Sequence, residues 1–114
     1  MDNCVFCKII NKDLPSSIVY EDDKVLAFKD INPVAPVHVL IVPKTHIASM
    51  NDLTEENAGI ISDIHLAAVK VAKELGVAEK GYRLINNCGK GAGQTVFHLH
   101  YHLIAGTIMG EKLI

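Results

Sequence analysis

Apolar and polar positions alternate along this chain with two different periods, and the period at each point predicts the local element. Phe97 to Ile104 reads Phe-His-Leu-His-Tyr-His-Leu-Ile, an alternation of period two. That is the pattern of a β-strand. In a strand, residues two apart share a face, so His98, His100 and His102 are expected in one row, roughly 6.6 Å from one to the next. Ile18 to Tyr20 and Val25 to Phe28 flank the polar Glu21-Asp22-Asp23-Lys24 and predict a hairpin. Val37 to Val42 is an apolar, β-branched run broken only by His38, long enough for a central strand, and Tyr82 to Ile85 is a further short strand. The helical period appears at Ile60, Ile61, Ile64, Ala67, Ala68, Val71 and Leu75. Asp52-Leu53-Thr54-Glu55 predicts a capped start for that long helix, and Gly76 its left-handed stop, with Lys73 near the negative end of the dipole. A short helix beginning near Cys4 is broken at Leu14-Pro15.

Composition sharpens this in few places. With 114 residues, 49% of them hydrophobic, the chain is expected to form one domain, residues 1–114, around a real core. A mean hydropathy of +0.23 points to apolar surface buried against a second copy. The net charge of −2 provides no basic footprint for a nucleic-acid polymer, so an anionic ligand is expected to be small and held by local groups. No apolar run reaches the length of a membrane span, and Met1 to Phe6 is neither basic nor long enough for a signal peptide, which places the protein in the cytoplasm. Three cysteines fit a disulfide framework poorly.

Candidate chemistry gathers at the histidines and cysteines. Cys4 and Cys7 form a C-x-x-C pair that could serve metal or redox chemistry. A thioredoxin-like role wants a preceding strand, for which there is no room, so a metal half-site is the better reading. His46 lies just past the Val37 to Val42 strand, where loops carry ligands, and is a candidate third ligand. His38, inside a strand, is by itself the pattern of a satisfied core histidine, and His65, at the border of the helical stripe, is given no role. Asp30 is a turn former that could also accept hydrogen bonds from ribose hydroxyls. Between Asn86 and Thr95, glycines 89, 91 and 93 let backbone N–H groups turn toward an anion, with Asn87, Gln94 and Thr95 as side-chain donors. The phosphate-binding-loop pattern fails, because no Gly-Lys-Ser/Thr follows.

The three alternating histidines could share one catalytic zinc, but on a straight strand His98 and His102 stand about 13 Å apart, which strains a common tetrahedral centre. The other division gives His98 to Cys4, Cys7 and His46 as a closed, structural Cys2His2 zinc site, and leaves His100 and His102 for chemistry. Neutral imidazole attacks phosphorus and forms a labile bond, which suggests a two-step transfer.

These residues resemble a known family. His98-Leu99-His100-Tyr101-His102-Leu103-Ile104 is similar to the His-φ-His-φ-His-φ-φ signature of the histidine triad (HIT) nucleotide hydrolases and transferases. The likeness continues through Phe6, Phe28 to Pro33, Ala35 to His38, Ile41 to His46 and Gly93 to Val96. The resemblance implies an α+β fold with a five-stranded antiparallel sheet, one long and one short helix, paired into a ten-stranded sheet in a homodimer. It implies purine nucleoside monophosphates carrying a leaving group as substrates: phosphoramidates, acyl-adenylates or dinucleoside polyphosphates. His100 would be the nucleophile, oriented by the backbone around His98, with His102 and His38 flanking the phosphate. Asn87, Gln94 and Thr95 would contact the phosphate and leaving group, Asp30 the ribose, and Phe6, Ile31 and Leu40 the base. Cys4, Cys7, His46 and His98 match the zinc ligands of bacterial-type members, and no organic cofactor is expected. Ala105-Gly106 and Met109-Gly110 resemble the HINT branch, which favours purine phosphoramidates, more than the dinucleoside polyphosphate hydrolases; the alternative from another class is a non-catalytic nucleotide-binding module on the same fold. Glu111 to Ile114 departs from that branch's Trp-Pro-Pro-Gly tail.

Overall fold

The computed structural model describes residues 3–114; Met1 and Asp2, where the signal-peptide reading starts, lie outside them. Helix α1 (Val5–Ile10) leads to strands β1 (Ile18–Glu21), β2 (Val25–Lys29) and β3 (Val37–Pro43). A 3-10 turn (Met50–Asp52) precedes helix α2 (Gly59–Glu74), which is followed by β4 (Tyr82–Asn86), a second 3-10 turn (Lys90–Ala92) and β5 (Tyr101–Ala105). The five strands form one sheet in the order β1-β2-β3-β5-β4, and every neighbouring pair is antiparallel.

The near-continuous apolar runs of β2 and β3 follow from burial on both faces. Val25, Ala27, Val39 and Ile41 pack with Tyr101, Leu103 and Ala105 against Ile64, Ala67, Ala68, Val71 and Ala72 of α2. Leu26, Phe28, Leu40 and Val42 pack on the other face against Phe6 and Ile9 of α1. His38 and His102 belong to this second face, because side chains alternate and His38 pairs with Ile104 while Leu40 pairs with His102. The α1 face therefore carries the histidines.

Helix α2 stops where its sequence directs, whereas α1 ends at Ile10, before the expected break at Leu14-Pro15. After α2, Gly76 N–H reaches Lys73 O and Val77 N–H reaches Ala72 O, the paired bonds of a Schellman stop, with Gly76 at φ +73°. α1 ends on the same two bonds, from Lys12 to Ile9 and from Asp13 to Lys8, with Lys12 at φ +65°.

Two further expected boundaries move. The capped start of α2 at Asp52 is corrected: Asp52 turns back to Ser49 in a capping box around the 3-10 turn. Thr54 and Asn57 then exchange side-chain bonds in a second cap, and the regular helix begins only at Gly59. The histidine strand is also shorter than its alternation, since the β3 to β5 ladder stops at the Ile41–Tyr101 pair. The next ladder partners include Pro43, which has no N–H, and its carbonyl is taken by the His98 ring at 2.8 Å. Leu99 N–H turns instead to Ile47 O. His98 and His100 therefore precede the strand, and only His102 lies on it.

Gly106 closes β5 at φ +92°, where an added Cβ would stand 2.9 Å from Pro36 Cβ. Gly106→Ala should cost about 2 to 3 kcal/mol from strain and overlap, read as a lower urea midpoint; Gly110→Ala, at φ +71° in open space, should cost less.

Candidate active site and metal cluster

The chain crosses the α1 face of the sheet at two adjacent clusters. In the first, α1 and its cap supply Cys4 and Cys7, the loop after β3 supplies His46, and the residue row before β5 supplies His98. Cys4 Sγ lies 3.3 Å and Cys7 Sγ 3.5 Å from His98 Nδ1, Cys7 Sγ lies 3.3 Å from His46 Nδ1, and the two Nδ1 atoms are 3.1 Å apart. His98 is fully buried. A carbonyl can only accept, so the 2.8 Å contact to Pro43 O places the His98 proton on Nε2 and turns the bare Nδ1 lone pair toward the sulfurs and His46. Burial and the neighbouring Cys4 thiol push Cys7 up to about 11, so a thiolate here is costly until a cation joins it. Two thiols and two imidazole nitrogens converging at these distances could hold a metal ion.

The second cluster is Asp30, His38 and His102, with His100 beside it. Its protons sit differently. Val34 N–H donates to His38 Nδ1 at 3.1 Å, so the neutral His38 ring carries its proton on Nε2. That proton faces His102 Nδ1 at 2.9 Å and Asp30 Oδ2 at 3.4 Å. The lone pairs do not converge, and the arrangement suits proton relay rather than metal binding. His102, accepting at Nδ1, keeps its own proton on Nε2. His100 is the reverse case: its Nδ1–H donates to His98 O at 2.8 Å, and among the described residues no protein group bonds its Nε2. Burial holds His100 below the ordinary histidine range, so the ring is neutral near pH 7 and its Nε2 carries a free lone pair.

Burial, reinforced by His100 and His38, pushes His102 from 6.5 down to about 4. The unfolded chain therefore binds a proton that the fold refuses, and this group's contribution is present above about pH 6.5 and lost as pH falls toward 4. Between pH 7 and pH 5 the unfolding free energy should fall by about 1 to 2 kcal/mol on this account, read from urea midpoints, and His102→Asn should flatten that slope.

The remaining expected site residues divide. Phe6 and Leu40 are buried together, and the Phe6 ring stands edge-on to His100 with centroids 5.0 Å apart. Ile31 does not join them, being 90% exposed on the turn after Asp30, so the three do not form one wall. Asp30 fixes that turn by accepting Asn32 N–H at 2.8 Å and keeps Oδ2 toward His38. Gln94, expected to contact the phosphate or leaving group, is engaged within the protein. It is 3% exposed, its amide nitrogen donates to Ala48 O and Val96 O, and its oxygen accepts Gly89 N–H, so it braces the glycine loop. Thr95 is exposed and Asn87 half-buried at the two ends of that loop. His65 is exposed and meets Tyr101 edge-on on the α2 face, away from both clusters. Three contributors escaped the sequence reading: the Pro43 carbonyl, the Val34 N–H, and Asn86, whose Nδ2 donates to His100 O at 2.9 Å. Two of these are backbone atoms and leave no side-chain signature, while Asn86 reads as an ordinary strand end.

Residues 3–113 match the family described as "Scavenger mRNA decapping enzyme C-term binding". The chain is 44% identical over 112 residues to the purine nucleoside phosphoramidase of Escherichia coli strain K12, covering 98% of this chain and 94% of that protein. It is similar to the solved HIT family hydrolase of Clostridium thermocellum, with 66% identity, a TM-score of 0.98, and 100% and 99% of the two chains covered. A histidine triad protein of Clostridium difficile follows at 53% identity and TM-score 0.94, with 98% and 96% covered. These likenesses, joined to a five-stranded sheet that brings His38, His100 and His102 together on one face, place the chain in the histidine triad family of hydrolases.

Proposed function

We propose that this hydrolase cleaves purine nucleoside 5′-phosphoramidates, or the related acyl-adenylates, to the nucleoside monophosphate through a nucleotidyl group carried on His100. The observation that carries the reading is the Nδ1–H bond from His100 to the His98 carbonyl, which leaves a neutral ring with its Nε2 lone pair free. In the first step Nε2 attacks the α-phosphorus, a P–N bond to His100 forms, and the bond to the leaving amine breaks. The departing nitrogen takes the Nε2 proton of His102, which His38 orients at Nδ1, and His102 regains a proton from the water that attacks in the second step. Water then attacks the same phosphorus, the P–His100 bond breaks, and the monophosphate leaves. The purine preference rests on the name of the Escherichia coli relative.

Asp30 is the acceptor for the ribose, Phe6 and Leu40 underlie the base, and exposed Ile31 would close over it only on binding. Thr95 and Asn87 contact the phosphate or leaving group. The Cys4, Cys7, His46, His98 set is read as a zinc site: with four protein donors it supplies closed tetrahedral coordination and holds α1 on the sheet. We take residues 1–114 as one domain working as a homodimer, with β4, one of the two edge strands, as the seam toward a second copy. Free thiols in a metal-ligating pattern support a reducing, cytoplasmic setting. No helix of the described residues is long and apolar enough to cross a membrane.

Intact-mass spectrometry of a reaction with an adenosine phosphoramidate, quenched within one turnover, tests the proposal. One added adenylyl group mapped to His100 is expected. Turnover with no histidine adduct, in a protein whose hydrolysis of the nucleotidyl-histidine bond has been slowed by low temperature, would sink the covalent route. A dinucleoside polyphosphate turned over faster than the phosphoramidate would move the substrate class instead.

A further inference from the structure

His98 belongs to both clusters at once. Its ring Nδ1 faces Cys4, Cys7 and His46, its Nε2–H is spent on Pro43 O, and its carbonyl holds His100 Nδ1–H. A second connection runs beside it. Phe6 lies between Cys4 and Cys7 on α1 and is buried, with its ring 5.0 Å from His100 at 84°, 6.0 Å from His98 at 74° and 5.7 Å from Phe28 at 69°. α1 has only six residues, too few to hold a helix without outside support. What supports it is the burial of Phe6 and Ile9 and the two cysteines at its first turn, one of which, Cys4, also caps it by accepting Cys7 N–H.

We infer that Phe6 is a positioning residue for His100, and that a divalent cation held by Cys4, Cys7, His46 and His98 sets the orientation of the His100 ring through Phe6 and the His98 backbone. The inference rests on His100 being the nucleophile. It separates Phe6 from a mere wall of the base pocket, because a wall affects substrate binding and a positioning contact affects turnover. A nucleophile misplaced by about 1 Å loses on the order of 100-fold in rate, so coupling of this kind need not be visible as a change of fold.

The test compares zinc-loaded protein with the same protein after a chelator, by NMR of 15N-labelled histidine and of the His100 ring protons. The expected result is a single Nδ1–H tautomer and ring-current-shifted protons for His100 in the loaded form. Tautomer mixing and loss of the shift are expected after chelation, and recovery on adding back Zn2+. Unchanged His100 signals in a folded, zinc-free protein would overturn the inference. If the zinc-free protein unfolds, the loaded Phe6→Leu variant decides. The inference expects kcat about 10- to 100-fold lower, beyond any rise in KM from the lost base contact, with zinc content unchanged; unchanged kcat with a raised KM overturns it. Failure of the wild type to hydrolyse a phosphoramidate would count against the proposed function alone, since the NMR comparison reads the coupling without turnover.

Discussion

His100→Ala is expected to lower kcat/KM toward an adenosine phosphoramidate by at least about 1,000-fold, with the fold intact. The size follows from what the side chain alone provides. Of His38, His100 and His102, only His100 has its proton held on the far nitrogen by a carbonyl while the near nitrogen stays bare. His102 and His38 have their Nδ1 atoms occupied as acceptors, and neither can replace it without breaking a bond of 2.9 or 3.1 Å. His102→Ala should cost less, about 10- to 100-fold, since general-acid assistance contributes less than the nucleophile. Steady-state kinetics on both variants, with circular dichroism to verify folding, checks the order. A His100→Ala protein as fast as the wild type would remove the covalent mechanism altogether.

The second large effect is on stability. Cys4→Ser combined with Cys7→Ser should lower the unfolding free energy by about 3 to 5 kcal/mol, or roughly 15 °C or more in melting temperature. The reasoning is loop closure: the cluster joins Cys4 to His98 across 94 positions and Cys7 to His46 across 39, long loops whose closure the unfolded chain would otherwise oppose. A chelator should reproduce the loss in the wild type and do nothing further to the double variant. Cys88→Ser, a half-buried thiol outside the cluster, is the control and should change neither metal content nor melting. Equal zinc content and equal melting in the double variant would refute the metal assignment.

The parts of this fold legible in sequence are those where one local rule decides. Val25 to Phe28 and Val37 to Val42 read as strands because both faces are buried, and the α2 stop at Gly76 reads from a single left-handed residue. The histidine row is legible as a row, and Cys4, Cys7 and His46 suggest its division, but the proton placement on each ring needs atoms that carry no side-chain signal. Pro43 ends the ladder through a missing N–H and holds His98 through its carbonyl, and alternation at Phe97 to Ile104 continues past the point where pairing stops. The start of α2 slipped because Asp52 and Thr54 both have capping chemistry and both use it, in succession. Gln94 shows what packing adds: its donors are legible in sequence, and only the folded loop shows them bonded to the carbonyls of Ala48 and Val96.

The β3 to β5 seam bears on how the molecule acquires activity during folding. β1, β2 and β3 lie on one side of α2 in the chain and β4 and β5 on the other, and each group can pair without crossing α2. His38 comes from the first group and His100 and His102 from the second, so they meet only when the long-range seam closes. Long-range pairing is entropically the slow step of such a topology. Refolding followed by fluorescence and by activity should therefore show turnover appearing with the last phase, and a chain holding both halves formed but undocked should have no activity at all.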